Sequence, residues 1–146
     1  MSNTDSDFAS LARFVDAQSV VYERVIGELR AGEKRSHWMW FVFPQVAGLG
    51  FSEMAVRYAV QSREEAEAYL AHPLLGVRLM ECCEALLVVE SRTALQIMGE
   101  PDHWKLQSSM TLFAEVSGAG SVFEQVLWKY YEGSRDRRTR EFLCLQ

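Results

Sequence analysis

Apolar residues recur along most of the chain at spacings of three and four, the period of a helix that buries one face. The first stripe predicts a long helix from about residue 8 to residue 31, which Gly32 ends as a C-cap residue. No segment shows a sustained period of two, which a half-buried strand would need. The one candidate strand is WMWFVF, residues 38–43, which lacks polar alternation and has no evident partner strand.

Capping residues, glycines and prolines divide the rest of the chain into further helices joined by short turns. The predicted N-caps are Ser52, Ser62, Thr93, Asp102 and Asp136. Pro73 separates two helices, with His72 as part of the second helix start and Gly76 as a point of close packing. The pattern predicts an all-α protein, a single compact domain of seven to eight helices over residues 1–146. Residues 1–6 are expected to form a flexible N-terminus.

The composition narrows the function classes. The length of 146 residues fits one domain, and 49% hydrophobic with 24% charged residues is typical of a globular protein. The net charge of -5 disfavours DNA binding, which needs a basic face. The acidic N-terminus is unlike a signal peptide, and the apolar runs are too short for a membrane span. We therefore expect a cytoplasmic protein, either monomer or homodimer, without a cofactor.

The cysteines and acidic residues do not indicate a metal site. The odd count of three cysteines fits no disulfide framework, so Cys82, Cys83 and Cys144 are interpreted as buried free thiols. No His or Cys stands at zinc-ligand spacing. Phosphate-binding glycine motifs and the Gly-x-Ser-x-Gly elbow are also absent from the sequence. Three acids of one predicted helix are interpreted as a solvated face: Glu64, Glu65 and Glu67.

The stretch KRSHWMWFVFPQ, residues 34–45, carries the first candidate site. Lys34 can hold an anion, His37 can transfer a proton near neutral pH, and an indole can stack a planar group. The candidate indoles are Trp38 and Trp40. Gln45 ends the apolar run with an amide that needs a partner. The alternative is that the rings fill the core and His37 makes a structural hydrogen bond.

The stretch DHWKLQSSMTLF, residues 102–113, carries the second candidate site. On a helix, Lys105, Ser108 and Ser109 occupy neighbouring positions, a combination suited to a phosphate or an oxyanion. Lys105 could also activate Ser109 as a nucleophile. Alternatively, the hydroxyls bond back to the preceding turn and allow close helix packing. Arg78, on another predicted helix, points either into a pocket or into an ion pair with an acid.

Three stretches resemble a bacterial family catalogued as domain of unknown function 1810: SHWMWFVFPQ with GLG, AYLAHPLLGVRL, and DHWKLQSSMTLF. The resemblance runs from residue 14 to about residue 139 and implies an all-helical fold, with a mycobacterial hypothetical protein as its prototype. It implies no activity. The label calpastatin, which some members carry, does not fit this composition, because calpastatin repeats are disordered. Trp104 departs from the family pattern, in which that position is more often small or aliphatic.

Two function hypotheses follow. In the first, the protein binds a nucleotide-like or sugar-phosphate ligand, and an extension of this hypothesis is that it also hydrolyses the ligand. The catalytic residues would be His37 and Ser109, and the ligand-binding residues Lys34, Trp38, Trp40, Gln45, Arg78, Lys105 and Ser108. In the second, the protein is a non-enzymatic interaction module whose polar motifs are structural, with an exposed apolar patch for a partner. The first hypothesis requires His37, Lys105 and Ser109 to meet at one concave site.

Overall fold

The computed structural model describes residues 3–146, with side chains from Ser10 onward, and this part of the chain is all-α, as predicted. Residues 1 and 2 lie outside it, so the flexibility expected for residues 1–6 stays a prediction. The described helices are α1 (Asn3–Ala31), α2 (Met39–Val42), α3 (Glu53–Arg57), α4 (Arg63–Ala71), α5 (Leu75–Val88), α6 (Ala94–Met98), α7 (Asp102–Ser117), α8 (Val122–Tyr131) and α9 (Arg137–Cys144). None of them is long and apolar enough to cross a bilayer.

Two helices organise the packing. α1 contacts α2, α4 and α5, and α7 contacts α4, α6, α8 and α9. They meet around Tyr69 of α4, whose ring centroid lies 5.2 Å from that of Phe14 and 5.3 Å from that of Phe113. All three rings are fully buried, and aromatic pairs at such distances add to the stabilisation from burial alone. This aromatic contact ties α1, α4 and α7 into one core.

The candidate strand in the aromatic run is wrong, because this run forms the short helix α2. The described residues therefore contain nine helices, one more than the seven to eight that the sequence predicts. α2 is a single turn in which the Phe43 amide donates to the Met39 carbonyl at 3.1 Å. Phe41, Val42 and Phe43 are buried on different sides of this turn, so no alternation is needed. The only strand-like feature within residues 3–146 is an isolated parallel bridge between Val46 and Val60.

Most predicted caps are present. Ser52, Ser62, Thr93 and Asp136 each accept a hydrogen bond from the third residue beyond them, and Thr93 forms the full reciprocal box with Gln96. The prediction for Asp102 is wrong, because the N-cap of α7 is Pro101 and no side chain caps it. The Asp102 carboxylate instead binds two lysines.

The junction between α4 and α5 is built as the sequence predicts. The Nδ1 atom of His72 accepts hydrogen bonds from the amides of Leu74 and Leu75, at 3.1 and 3.2 Å, and thereby starts α5. A Cβ atom on Gly76 would lie only 2.2 Å from the Leu70 carbonyl oxygen. The absence of a side chain at Gly76 is therefore what lets α5 approach α4.

Two sequence interpretations are corrected by burial. Cys82 and Cys83 are buried free thiols, but Cys144 is exposed at the end of α9. Glu64 and Glu67 are solvated, whereas Glu65 is buried. Glu65 forms an ion pair with Arg13 at 3.3 Å and accepts the Gln61 amide at 3.0 Å, which compensates its loss of hydration.

Candidate functional site

A cavity of about 390 Å³ lies between the segment that leads into α2 and the start of α7. Met39, Trp40 and Met98 supply part of its apolar wall. Its charged and polar wall is formed by Lys34, Arg35, His37, Glu100, Asp102 and Lys105. We call this space the first cavity. It brings together two stretches that are far apart in the sequence, and four of the predicted site residues line it: Lys34, His37, Trp40 and Lys105.

Glu28 of α1 fixes the segment before α2. Its Oε1 atom accepts hydrogen bonds from the Arg35 amide at 2.8 Å, the Ser36 amide at 3.1 Å and the Trp38 indole at 2.9 Å. Its Oε2 atom accepts the Ser36 hydroxyl at 2.5 Å. Burial raises the pKa of Glu28, but these four donors outweigh burial and lower the pKa to about 2. The carboxylate is therefore charged at neutral pH and holds the backbone beside His37.

The structure does not place Trp38 on the cavity. Its ring is buried and packs against Phe43, with the two centroids 6.1 Å apart, and its N–H group is taken by Glu28. This is the core alternative that the sequence left open for the aromatic run. Glu28 itself was not predicted, because it lies between apolar positions of a helical stripe and its partners follow only after the helix ends.

Asp102 joins the two lysines of the first cavity. Its Oδ2 atom lies 2.9 Å from Lys34 Nζ, and its Oδ1 atom lies 3.8 Å from Lys105 Nζ. Lys34 Nζ also donates to the Ser36 carbonyl at 2.6 Å, and only 6% of the Lys34 side chain is exposed. The Lys34 ammonium is thus held firmly, whereas Lys105 has a longer contact and greater exposure. The sequence predicts Asp102 as a cap, so its role as an ion-pair partner was not predicted.

The first cavity carries an excess of positive charge. Its lining contains three cationic side chains and two carboxylates: Lys34, Arg35 and Lys105, and Glu100 and Asp102. Arg35 has an exposed pairing with Glu33 at 3.3 Å, which water and salt weaken. His37 is exposed at the same wall and offers ring nitrogens that can form hydrogen bonds with a ligand. Local cationic character in a chain of net charge -5 favours an anionic occupant.

A second cavity, of about 360 Å³, adjoins the first and shares Pro101 and Lys105 with it. Two predicted ligand-binding residues, Gln45 and Ser108, line this second cavity and not the first. The Ser108 hydroxyl donates to the Trp104 carbonyl at 3.3 Å, the bond to the preceding turn that the sequence offered as an alternative. Two further lining residues, Phe51 and Arg138, were not predicted from the sequence.

Ser109 and Arg78 lie away from both cavities. Ser109 is 0% exposed within α7, and its hydroxyl has no hydrogen-bond partner among the described residues. Arg78 extends over the Tyr22 ring, 4.8 Å from its centroid, and its Nη1 atom lies 3.4 Å from the Ser19 hydroxyl. The convergence expected of His37, Lys105 and Ser109 therefore holds for the first two only. A nucleophile sealed in the core cannot meet a ligand in either cavity.

The arrangement can bind and orient an anion through ammonium, guanidinium and imidazole groups. Within the part of the chain that the structure describes, no group of three or more His, Cys, Asp or Glu residues could hold a metal ion. The chemistry available at the cavity walls is therefore that of charged donors, amides and hydroxyls, beside aromatic and thioether surfaces.

These features define a small all-helical protein with two adjoining polar cavities at the start of one long helix. Residues 8–143 match the family model described as "Protein of unknown function (DUF1810)", and the chain belongs to this family. It is similar to the conserved hypothetical protein Rv1873 from Mycobacterium tuberculosis, known from a crystal structure. The two chains are 55% identical, with a TM-score of 0.91 over 93% of this chain and 97% of that one. A search of curated proteins gave no match.

Proposed function

We propose that the first cavity binds a small anionic ligand of the nucleotide or sugar-phosphate class. The observation that supports this most is the pair of lysines, Lys34 and Lys105, that share the single carboxylate of Asp102 at the cavity wall. One carboxylate balances only one of the two ammonium groups. The cavity volume of about 390 Å³ also falls in the range of small-molecule sites, roughly 300–1,000 Å³.

The two lysines have different tasks in this proposal. Lys34 is held by Asp102 and the Ser36 carbonyl, so it keeps Asp102 in place and adds positive potential. Lys105, at 3.8 Å from Asp102, can turn its N–H donors towards an anion without breaking a short ion pair. His37 lies at the same wall and supplies a further N–H donor. Lys105 and His37 are therefore the groups that contact the ligand.

We propose binding of the ligand, without hydrolysis. The hydrolysis hypothesis relied on Ser109 as the attacking group, and the burial of Ser109 removes that basis.

The first test is a substitution at Lys105. Lys105→Gln should weaken the binding of ribose 5-phosphate and adenosine monophosphate by about tenfold, because one charge-assisted hydrogen bond is lost. Isothermal titration calorimetry measures the affinity. Arg24→Gln removes the same charge at an exposed position of α1 that lines neither cavity, and should leave the affinity unchanged.

The interaction-module alternative gives the opposite result. In that case Lys105→Gln would lower the melting temperature and the wild-type protein would bind none of these compounds. A failure of phosphate, ribose 5-phosphate and adenosine monophosphate to bind at millimolar concentration would therefore refute the proposed function.

A further inference from the structure

We propose that the second cavity is a subsite of the same site and takes a planar heteroaromatic ring whose phosphate group lies at Lys105. The inference rests on the proposed function and narrows the ligand to a ring-bearing phosphate, such as a nucleotide or a flavin phosphate. Lys105 and Pro101 line both cavities, so a ring in the second cavity would lie beside the ammonium group that is proposed to hold the phosphate.

Two exposed aromatic side chains border the second cavity. Phe51 is 84% exposed and Trp104 is 56% exposed, although rings of this size are usually buried. Exposed aromatic rings beside a cationic group are the means by which proteins stack nucleobases. Most of the Phe51 ring is therefore open to a ligand, whereas the Trp104 ring is open only in part, because the His103 ring packs against it with the two centroids 4.5 Å apart.

Trp40 of the first cavity is less suited to stacking. The ammonium of Lys105 lies 5.6 Å from the centroid of the Trp40 ring, in a cation–π contact that occupies one face of the indole. The same contact holds Lys105 between the cavities. This division of tasks, with the phosphate at Lys105 and the ring beyond it, differs from the simpler expectation that Trp40 stacks the ring.

The polar side chains of the second cavity suit the edge of such a ring. The side-chain amide of Gln45 makes no hydrogen bond to another described residue, so both its donor and its acceptor are open. The Ser52 hydroxyl accepts the Ala55 amide at 3.1 Å and keeps its own proton for another partner. A nucleobase presents donors and acceptors along one edge, which an amide can match.

Arg138 gives the second cavity a further positive charge. Its Nη2 atom donates to the Gly48 carbonyl at 3.2 Å, and it takes part in no ion pair with the residues that the structure describes. The acid nearby in sequence, Asp136, is engaged in capping α9 through the Thr139 amide. Lys105 and Arg138 thus line the same cavity with only one carboxylate, which favours a ligand with negative charge.

The experiment compares ligands with and without a ring. Isothermal titration calorimetry should show adenosine monophosphate or flavin mononucleotide binding at least about fivefold more tightly than ribose 5-phosphate, the gain expected from stacking. Trp104→Ala and Phe51→Ala should each reduce the ratio of the two affinities, ring-bearing ligand over ribose 5-phosphate, towards one. Neither substitution should change the affinity for ribose 5-phosphate itself. Trp128→Ala is the matched control, since Trp128 is 65% exposed and lines neither cavity.

The outcomes separate the two proposals. Equal affinities for all three compounds, or a ratio that neither Trp104→Ala nor Phe51→Ala changes, overturn the ring subsite and leave the anion site standing. Trp104 also borders a separate cavity with Tyr130 and Tyr131. If the affinity ratio changes in Trp104→Ala but not in Phe51→Ala, the ring lies in this separate cavity and not in the second cavity. That result also overturns the inference. If no compound binds, both proposals fail together.

Discussion

Glu28 acts on the candidate site through the backbone that it holds. Four donors from Arg35, Ser36 and Trp38 converge on one carboxylate, which is the coordination that a charged group needs once it leaves bulk water. Because the bonded amides immediately precede His37, the position of that imidazole depends on a residue that lines neither cavity. Glu28 is therefore a positioning residue.

Glu28→Gln should lower the free energy of unfolding at pH 7 by about 1–2 kcal/mol, since hydrogen bonds to a charged acceptor are stronger than those to an amide. The folded-state pKa of about 2 lies below the ordinary value of 4.5. The stabilisation is therefore complete above about pH 4.5 and is lost as the pH falls through 2. Urea unfolding of both proteins between pH 7 and pH 2 measures this difference.

The control for that titration is Glu23→Gln, an exposed position on the same helix. It should change stability little at any pH. A wild-type advantage over Glu28→Gln that stays constant down to pH 2 would contradict the role assigned to the carboxylate.

Ser109 provides a second test at the residue scale. Ser109→Ala removes a buried hydroxyl that lacks a partner among the described residues, and alanine has the higher helix propensity. We expect the free energy of unfolding to rise by about 1 kcal/mol. Ser108→Ala removes the hydrogen bond to the Trp104 carbonyl, so it should raise the free energy of unfolding by less than Ser109→Ala does. A clear loss of stability in Ser109→Ala, measured by urea unfolding, would show that this hydroxyl has a partner after all.

At the scale of helices, α5 depends on a close approach to α4 at one glycine. Gly76→Ala should destabilise the protein by about 2–3 kcal/mol, because the new methyl group would meet the rigid Leu70 carbonyl. Gly27→Ala is the matched control within α1, where an added Cβ finds nothing within 4 Å. It should stabilise the helix by about 0.5–1 kcal/mol. Equal effects of the two substitutions in urea unfolding would refute this account of the α4–α5 contact.

The helices themselves were largely predictable, because their causes are local. An apolar stripe and a cap lie within a few residues of each other, as in α6, where Thr93 and Gln96 bond reciprocally. α2 was missed because a single turn is too short to show a period, and its rings are buried on several sides. Asp102 was misassigned as a cap because a carboxylate at a helix start also suits an ion pair, and the chain pattern does not show that Lys34 is near.

At the scale of the whole molecule, the site could be predicted only in part. Lys34, His37, Trp40 and Lys105 do line one cavity, and their chemistry was visible in two short stretches. The division into two adjoining cavities was not visible, because it depends on where α9 and the Gly48 loop lie relative to α7. Ser109 was misjudged for a related reason: α7 is buried on most of its circumference beyond its first turn, so helical spacing alone did not reveal which face meets solvent.

The bond from Arg138 to the Gly48 carbonyl has a practical consequence for anyone producing this protein. It links the last helix to the loop that walls the second cavity, across most of the length of the chain. An extension or truncation that disturbs α9 would therefore change the wall of the second cavity at Gln45 and Phe51, although Gly48 between them lies 90 residues before Arg138 in the sequence. Ligand screens should therefore use a protein in which α9 is undisturbed.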